Sequence, residues 1–278
     1  MYERIIVPLD GSKLAEAALP YAEELAAKMD SYISLLSVLV TDEVSEQQKY
    51  DAYLMKVAEV TRYHAQKYIG NEGGEGIKVL TVTRTGNPAE AIIEHASKVP
   101  FQLIVMASHG RSGLNRWAVG SVADKIVRAD ISQPVMLIRA KETRSDMREK
   151  RILKKALVPL DGSPGSEAVI PYISEMAAKL QMELTLLQIA SAQNNRKGEV
   201  DKYLQDWCDH LGGEDIAVRY KVSAGSVADE IIDIADELAF DLVAMSTRGK
   251  TAVNLWSLGS VAQKVFLGGN TPLLLVKQ

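Results

Sequence analysis

Short apolar runs alternate along this chain with segments whose apolar residues recur every three or four positions. Residues 4–9 form a continuous apolar run, which indicates a strand buried on both faces of a sheet. Residues 12–29 follow helical spacing, and Pro20 should kink that helix. The alternation continues to residue 139 and predicts strands at 4–9, 32–40, 77–84, 101–108 and 133–139, with helices at 12–29, 47–69, 87–97 and 120–129.

The second half of the chain repeats the first. The hexapeptide VPLDGS occurs at residues 7–12 and again at 158–163, and the segment 103–127 is matched by 242–266. Strands that alternate with helices form parallel sheets covered by helices on both sides. We therefore predict an α/β protein of two tandem, doubly wound, Rossmann-like domains with five parallel strands each, at residues 1–140 and 155–278, joined by a charged linker at 141–154.

Composition excludes several classes of function. The net charge is -4, which does not suit a surface for nucleic acid or anionic membranes. Cys208 is the only cysteine, so no internal disulfide forms, and the four scattered histidines offer no zinc spacing. The start has no secretory pattern, and no apolar run approaches the roughly 18 residues of a membrane span. We expect a cytoplasmic protein without nucleic-acid or membrane partners.

An aspartate follows the first strand of each copy, as Asp10 and Asp161. In doubly wound sheets ligands bind beyond the carboxyl ends of the strands, where the strand order reverses. The aspartate could therefore accept a hydrogen bond from an adenine amino group or a ribose hydroxyl. It could equally cap the turn formed by the following Gly-Ser. The two roles compete for the same oxygen atoms, and the sequence leaves both open.

A glycine-rich segment follows the fourth strand of each copy. In the first copy Gly110 and Gly120 permit close backbone approach, and Ser121 with Asp124 resembles a capping box at a helix start; Ser260 and Gln263 repeat it. Free amides at a helix start attract anions, and His109, Arg111 and Arg116 lie nearby in sequence. These features predict a cradle for polyphosphate. The alternative is an ordinary glycine-rich turn before a capped helix.

Other catalytic and phosphate-binding motifs are absent from the sequence. GKT at 249–251 resembles the end of a P-loop, but Ala244 stands where that motif needs glycine. No G-x-S-x-G elbow, paired-carboxylate motif or metal-ligand cluster occurs. His109 is the best single candidate for acid–base work, and phosphate or solvent contact suits it better. We therefore expect no catalytic residues and no metal ligands.

These motifs together resemble the universal stress protein family over nearly the whole chain. The resemblance rests on VPLDGS, on LLSV or LLQI in the second strand, and on MASHGRSGLNRWAVGSV or MSTRGKTAVNLWSLGSV. The nucleotide-binding branch carries G-2x-G-9x-G-[ST]. Both copies keep its last two glycines and the serine, whereas Ala107 and Ser246 replace the first glycine. A replacement that needs positive φ costs about 1 kcal/mol or more, and an extended one costs little.

The resemblance implies an ATP site, with AMP or ADP as alternatives and Mg²⁺ accompanying ATP. Asp10 and Val38 would hold adenine, and the glycine-rich segment would hold phosphates and ribose. In the first copy the implied nucleotide-binding residues are Pro8, Asp10, Val38, Met106, Ala107, His109, Gly110, Gly120, Ser121 and Val122. In the second they are Asp161, Ile189, Ser246, Arg248, Gly249, Gly259, Ser260 and Val261. The first copy matches the family better, which favours it as the binder.

Family members pair through their last strands, and both copies end in strongly apolar strands at 134–139 and 272–277. The resemblance therefore implies an intramolecular pseudo-dimer, and two chains could pair again as a homodimer. The implied function is an adenine-nucleotide-binding stress-response sensor or regulatory module with at most slow ATP hydrolysis. Two alternatives remain: an interaction scaffold whose nucleotide sites have decayed, and a weak ATPase or nucleotidyl-transfer enzyme.

Overall fold

The chain divides into two compact units, Met1–Ile152 and Leu153–Gln278, called unit 1 and unit 2 below. The structure is a computed structural model and describes residues 2–69, 76–108, 120–139, 151–190, 197–213, 216–247 and 258–277. Most of the predicted linker, residues 141–150, lies outside the described residues. Ile152, within the predicted linker, belongs to unit 1, where its amide donates to both carboxylate oxygens of Glu24 at 3.1 and 3.0 Å.

Unit 1 is a parallel sheet whose strands alternate with helices. Its strands lie in the order β3-β2-β1-β4-β5, and each neighbouring pair runs parallel. The order reverses between β1 and β4, so the sheet is doubly wound. The elements are β1 (Arg4–Pro8), α1 (Lys13–Glu16), α2 (Leu19–Met29), β2 (Tyr32–Leu39), α3 (Val44–Ile69), β3 (Val79–Thr85), α4 (Pro88–Ser97), β4 (Gln102–Ala107), α5 (Ser121–Arg128) and β5 (Val135–Ile138).

Unit 2 repeats this arrangement. Its strands lie in the order β10-β9-β6-β7-β8, which is the unit 1 order read from the other edge, and its neighbouring pairs are also parallel. The elements are β6 (Lys155–Pro159), α6 (Pro164–Glu167), α7 (Ile170–Leu180), β7 (Glu183–Ala190), α8 (Lys197–Gly212), β8 (Val218–Ala224), α9 (Val227–Glu237), β9 (Leu242–Ser246), α10 (Ser260–Gly268) and β10 (Leu273–Val276). The predicted fold class is confirmed.

The central strands of each sheet form the core. In β1 and β4 the side chains of Ile5, Ile6 and Leu103 are fully buried, as the continuous apolar runs predicted. The edge strand β3 is different, because most of its side chains are half-buried or exposed. Burial of both faces of β1, β2 and β4 fixes the positions of their carboxyl ends, which is where the candidate site lies.

The helix predicted over residues 12–29 is two helices, so the prediction of one kinked helix is wrong. Helix α1 ends at Glu16 and α2 begins at Leu19, with Pro20 in its first turn. Unit 2 has the same break, with Pro171 in the first turn of α7. Proline has no amide hydrogen, and amides in the first turn need no acceptor within the helix. The proline therefore starts a new helix instead of bending an existing one.

Asp30, which directly follows helix α2, has a left-handed conformation, with φ 54° and ψ 42°. Glycine adopts this conformation without strain, and a negative charge at a helix carboxyl end opposes the helix dipole. We expect Asp30→Gly to raise the free energy of unfolding by about 1 kcal/mol in urea denaturation. Asp30→Ala removes the charge but keeps the strain and should gain only a few tenths of that. An equal gain from both substitutions would contradict the argument from backbone strain.

Candidate functional site

A cavity of about 460 Å³ lies in unit 1 at the carboxyl ends of β1, β2 and β4. This is the edge of the sheet where the strand order reverses, as the fold class predicts for a ligand site. Its walls come from the loop after β1, the end of β2, the starts of α3, α4 and α5, and the end of β4. The lining residues are Pro8, Leu9, Asp10, Ala15, Leu36, Val38, Leu39, Val40, Thr41, Glu46, Tyr50, Pro88, Ile92, Met106, Ala107, Ser108, Gly120, Ser121, Val122 and Ala123.

The loop after β1 is held by Asp10. Its Oδ1 accepts a hydrogen bond from the Ser12 amide at 2.9 Å, and Ser12 Oγ in turn accepts from the Ala15 amide at 3.2 Å and caps α1. Gly11 between them has φ 81°, which glycine adopts readily. The turn-capping role considered for this aspartate is therefore present, and Asp10 also lines the cavity.

Unit 2 contains the same loop. Asp161 Oδ1 accepts from the Ser163 amide at 3.0 Å and from Ser163 Oγ at 2.5 Å, and Gly162 has φ 76°. Both aspartates thus organise the turn that follows the first strand. A contact with nucleotide is a second role, which stays a prediction.

Val38 lies where β2 continues beyond the end of β1. Leu36 O accepts from the Leu9 amide, and Leu39 O accepts from the Gly86 amide, both at 2.8 Å. Peptide groups of successive residues in a strand point to opposite neighbours, so those of Val38 point to the side of β1. Because β1 has already ended there, these groups face the cavity region. This is the geometry that recognition of a purine edge by backbone atoms requires.

A hydrogen bond joins the end of β4 to the start of α5. The Gly120 amide donates to Ser108 O at 2.8 Å, and the Ser108 amide donates to Ile138 O at 2.9 Å. Unit 2 has the same bonds, from Gly259 to Thr247 O at 2.9 Å and from Thr247 to Val276 O at 2.8 Å. The predicted site residues between these points, His109, Gly110, Arg248 and Gly249, lie outside the described residues, as do Arg111 and Arg116.

The predicted capping box at Ser121 is wrong. Gly120 is the residue that precedes the helix, with φ -61° and ψ 140°, and no side chain among the described residues caps α5. Ser121 is therefore the first helical residue, and Asp124 instead forms an ion pair with Arg128 at 2.9 Å. Helix α10 likewise has Gly259 before Ser260, and no side chain in the described part of unit 2 caps it, so the matching prediction for Ser260 and Gln263 is also wrong.

The missing side-chain cap leaves amide donors at the cavity. The Asp124 amide makes the first bond within α5, to Gly120 O at 3.0 Å. The amides of Ser121, Val122 and Ala123 precede that bond and have no acceptor within the helix, and all three residues line the cavity. Amides at a helix start, reinforced by the helix dipole, form an anion-binding position.

The residues that replace the first glycine of the family motif cause no backbone strain. Ala107 is the last residue of β4 and Ser246 the last of β9, and both are extended. Ala107 is paired in register with Ile138 of β5. The replacement residue is therefore extended and does not need a positive φ, so it costs little free energy. A methyl or hydroxymethyl group at a strand end narrows the neighbouring space without distorting the backbone.

The structure brings eight of the predicted residues of unit 1 together around one cavity: Pro8, Asp10, Val38, Met106, Ala107, Gly120, Ser121 and Val122. In unit 2, Asp161 follows β6, Ile189 lies in β7, Ser246 ends β9, and Gly259, Ser260 and Val261 form the start of α10. Sequence reasoning missed Glu46 and Tyr50 of α3, which also line the unit 1 cavity. The Tyr50 hydroxyl donates to Asp10 O at 3.2 Å.

Two negative findings apply to the described part of the chain. Within it no group of three or more His, Cys, Asp or Glu side chains could hold a metal ion. None of the helices described there is both long and apolar enough to cross a membrane.

Comparison with known proteins gives a consistent result. The sequence model of the universal stress protein family matches residues 1–139 and again 153–277. A universal stress protein of Mycolicibacterium smegmatis is 24% identical over 294 residues, which cover 98% of this chain and 96% of that protein. The crystal structure of a universal stress protein from Archaeoglobus fulgidus superposes with a TM-score of 0.70 at 20% identity, covering 100% of this chain and 99% of that chain.

A second similar structure is that of a universal stress protein in complex with cAMP. It covers 45% of this chain and 97% of its own, at 21% identity and a TM-score of 0.39. The match with the Archaeoglobus fulgidus structure agrees with the fold found here. The family itself is shown by the two matches of the family model, which together span most of the sequence.

Proposed function

Because the chain belongs to the universal stress protein family, we propose that the unit 1 cavity binds an adenine nucleotide. The protein would serve as a stress-response module whose surface depends on its nucleotide state. The observation that carries this proposal is the convergence of Asp10, the backbone of Val38 and the free amides of α5 on one cavity. Its volume of about 460 Å³ falls in the range of small-molecule sites.

The two ends of the cavity suit the two ends of a nucleotide. Leu36, Ile92 and Met106 supply an apolar surface for a purine, next to the peptide groups of Val38. The phosphates would lie at the start of α5, where amide donors and the helix dipole favour negative charge. ATP would bring its own Mg²⁺, whose charge would partly offset that of the phosphates.

Any hydrolysis in this site would be slow. The described titratable side chains of the cavity are those of Asp10, Glu46 and Tyr50. The Tyr50 hydroxyl donates to the backbone carbonyl of Asp10, and the Ser12 amide donates to Asp10 Oδ1. The Tyr50 hydroxyl and the Asp10 carboxylate therefore both help to hold the loop after β1. Rapid phosphoryl transfer needs a group that positions water and further charge stabilisation at the γ-phosphate. A binding and sensing role therefore suits the site better than an ATPase or nucleotidyl transferase.

The scaffold alternative rested on the loss of the first glycine of the motif in both copies. Because Ala107 and Ser246 are extended strand residues, that loss does not distort either site. In unit 1 the remaining features also surround an open cavity. The geometry thus favours a functional nucleotide site in unit 1 over a decayed one.

The direct test is to identify nucleotide in the purified protein. We expect denaturation to release ATP, detected by chromatography and mass, and calorimetric titration of stripped protein to show ATP binding. Release of ADP or AMP that accumulates with turnover would favour the enzyme alternative. A stripped protein that gives no heat with millimolar ATP would overturn the proposal and favour the scaffold.

Substitution of Asp10 separates its two roles. Asn keeps an oxygen that can accept from the Ser12 amide but removes the negative charge. We expect Asp10→Asn to weaken ATP binding about tenfold, or about 1.4 kcal/mol, with little change in Tm. Asp10→Ala should lower both ATP affinity and Tm, because the turn also loses its acceptor. Calorimetry and thermal unfolding measure the two effects.

The matched control is Asp161→Asn, which makes the same change in the corresponding loop of unit 2. It should leave the ATP affinity of unit 1 unchanged. If Asp10→Asn also leaves ATP affinity unchanged, Asp10 has only its turn-capping role, and its assignment to the nucleotide site is wrong.

A further inference from the structure

The first turns of α3 form one wall of the unit 1 cavity. Glu46 and Tyr50 lie four residues apart, on the same face of the helix, and both line the cavity. Tyr50 is half-buried, and the Glu46 side chain is 38% exposed. We call these two residues the α3 wall. No element of the family motif predicts it, because it belongs to a helix far from the glycine-rich segment in sequence.

Contacts on both sides fix Tyr50. Its hydroxyl donates to Asp10 O at 3.2 Å, and its ring meets the Tyr53 ring edge-on with centroids 6.4 Å apart. Tyr53 in turn donates to Glu16 Oε1 at 3.1 Å, which links α3 to α1. Burial, with the nearby Glu16 carboxylate, raises the pKa of Tyr53, so this hydroxyl remains a donor at neutral pH. The α3 wall is therefore held at a defined distance from the Asp10 loop.

The tyrosine–glutamate link is repeated in unit 2, but the α3 wall is not. Tyr203 donates to Glu167 at 2.8 Å, as Tyr53 does to Glu16. Aligning DAYL at 51–54 with DKYL at 201–204 places Val200 opposite Tyr50. The same alignment places Arg196 opposite Glu46 in sequence, which reverses the charge. The link is thus common to both units, whereas the wall is specific to the unit that has the cavity described above.

The charges in the cavity give a ligand one orientation. The amide donors of α5 favour negative charge where they line the cavity, whereas the carboxylates of Glu46 and Asp10, which line the same cavity, disfavour it near themselves. Lys49 pairs with Glu46 at 2.9 Å, but Lys49 is 73% exposed and does not line the cavity. An exposed pair of this kind contributes little, so Glu46 still presents its charge to a ligand.

Building on the nucleotide site proposed above, we propose that Glu46 and Tyr50 determine its specificity. With the 5′-phosphates at α5, the nucleoside lies toward β2 and α3. There the Glu46 carboxylate accepts hydrogen bonds from hydroxyl donors and repels a second phosphate. The Tyr50 ring limits how far the nucleoside can shift away from that carboxylate. Unit 1 therefore selects nucleoside 5′-phosphates with a free ribose over nucleotides that also carry a 2′- or 3′-phosphate.

The test compares ATP with its 3′-phosphorylated derivative by calorimetric titration of the full chain. We expect the wild type to bind ATP at least tenfold more tightly. Glu46→Gln should reduce that ratio to about threefold, and Glu46→Arg, the residue that unit 2 carries, should reduce it to one or below. Tyr50→Val, again the unit 2 residue, should also reduce the ratio, while Tyr50→Phe keeps the ring and should retain it.

Glu59→Gln is the matched control, because it removes the same charge from an exposed position of α3 and should keep the wild-type ratio. If the wild type binds ATP and the Glu46 variants keep its ratio, the specificity inference is overturned while the nucleotide site stands. If the wild type binds neither ligand, the nucleotide site itself fails, and the inference fails with it.

Discussion

Ser121→Asp should weaken ATP binding about 100-fold, or roughly 2.7 kcal/mol, without destabilising the helix that carries it. Ser121 is the exposed first residue of α5, at the edge of the cavity where phosphate is proposed to bind. A carboxylate there repels phosphate. It also interacts favourably with the helix dipole, which is worth about 0.3–1 kcal/mol. Binding and stability should therefore change in opposite directions, a combination that general unfolding does not produce.

Two control substitutions test whether the effect comes from the negative charge and whether it is specific to unit 1. Ser121→Asn has nearly the same shape as the aspartate variant but no charge, and should cost much less ATP affinity. Ser260→Asp places the same charge at the matching helix start of unit 2 and should leave unit 1 binding unchanged. Calorimetry gives the affinities, and urea denaturation gives the stabilities. ATP affinity within threefold of wild type for Ser121→Asp would exclude phosphate from this helix start.

The free energy of unfolding should fall by roughly 3 kcal/mol between pH 6.5 and pH 4 because of one imidazole. His95 of α4 is buried, with its Nε2 3.3 Å from Ser34 Oγ. Its Nδ1 has no hydrogen-bond partner among the described residues. Burial, followed by the positive charges of Arg4, Arg84 and Lys98, lowers the pKa of His95 to about 4.

The sign of this effect follows from which state binds the proton. In the unfolded chain His95 takes up a proton near pH 6.5, whereas the folded protein resists protonation until about pH 4. Between these values the unfolded state binds more protons, so stability rises with pH across the window. The part of the free energy of unfolding that depends on an unprotonated His95 is complete above about pH 6.5 and is lost as the pH falls to about 4.

Urea denaturation of wild type and His95→Gln at several pH values measures this contribution. Glutamine can still bond to Ser34 but does not titrate, so the variant should show a shallower loss of stability toward acid. The control His210→Gln removes an exposed imidazole on α8 and should keep the wild-type curve. Parallel curves for wild type and His95→Gln would show that the buried imidazole is not the source of the acid sensitivity.

The sequence was sufficient to predict the fold because the pattern of apolar residues indicates the same order of strands and helices in both copies. Buried strands such as β1 and β4 appear as unbroken apolar runs, and each prediction could be checked against a second copy. The break between α1 and α2 was missed because the apolar spacing continues across it. A helix that stops and restarts within two residues keeps the same face toward the sheet, so periodicity alone does not reveal the gap.

The site was predictable where it depends on local chain order and not where it depends on packing. Asp10 and Ser121 follow buried strands in the chain, so the fold class places them at one edge of the sheet. The error at Ser121 was a shift of one residue, since a glycine can precede a helix as well as a serine can. Glu46 and Tyr50 reach the cavity only through the packing of α3 beside β2, which no local pattern encodes.

The hydrogen bond from Gly120 to Ser108 has a consequence for how such proteins can diversify. The residues that follow β4 and precede α5 are hydrogen-bonded to each other, so residues added or removed between them need not displace β4 or α5. In a protein with two such domains, the segment between these two residues could therefore be exchanged in either domain without changes in the rest of that domain. Grafting the stretch between Thr247 and Gly259 into the first half would use the same anchor points.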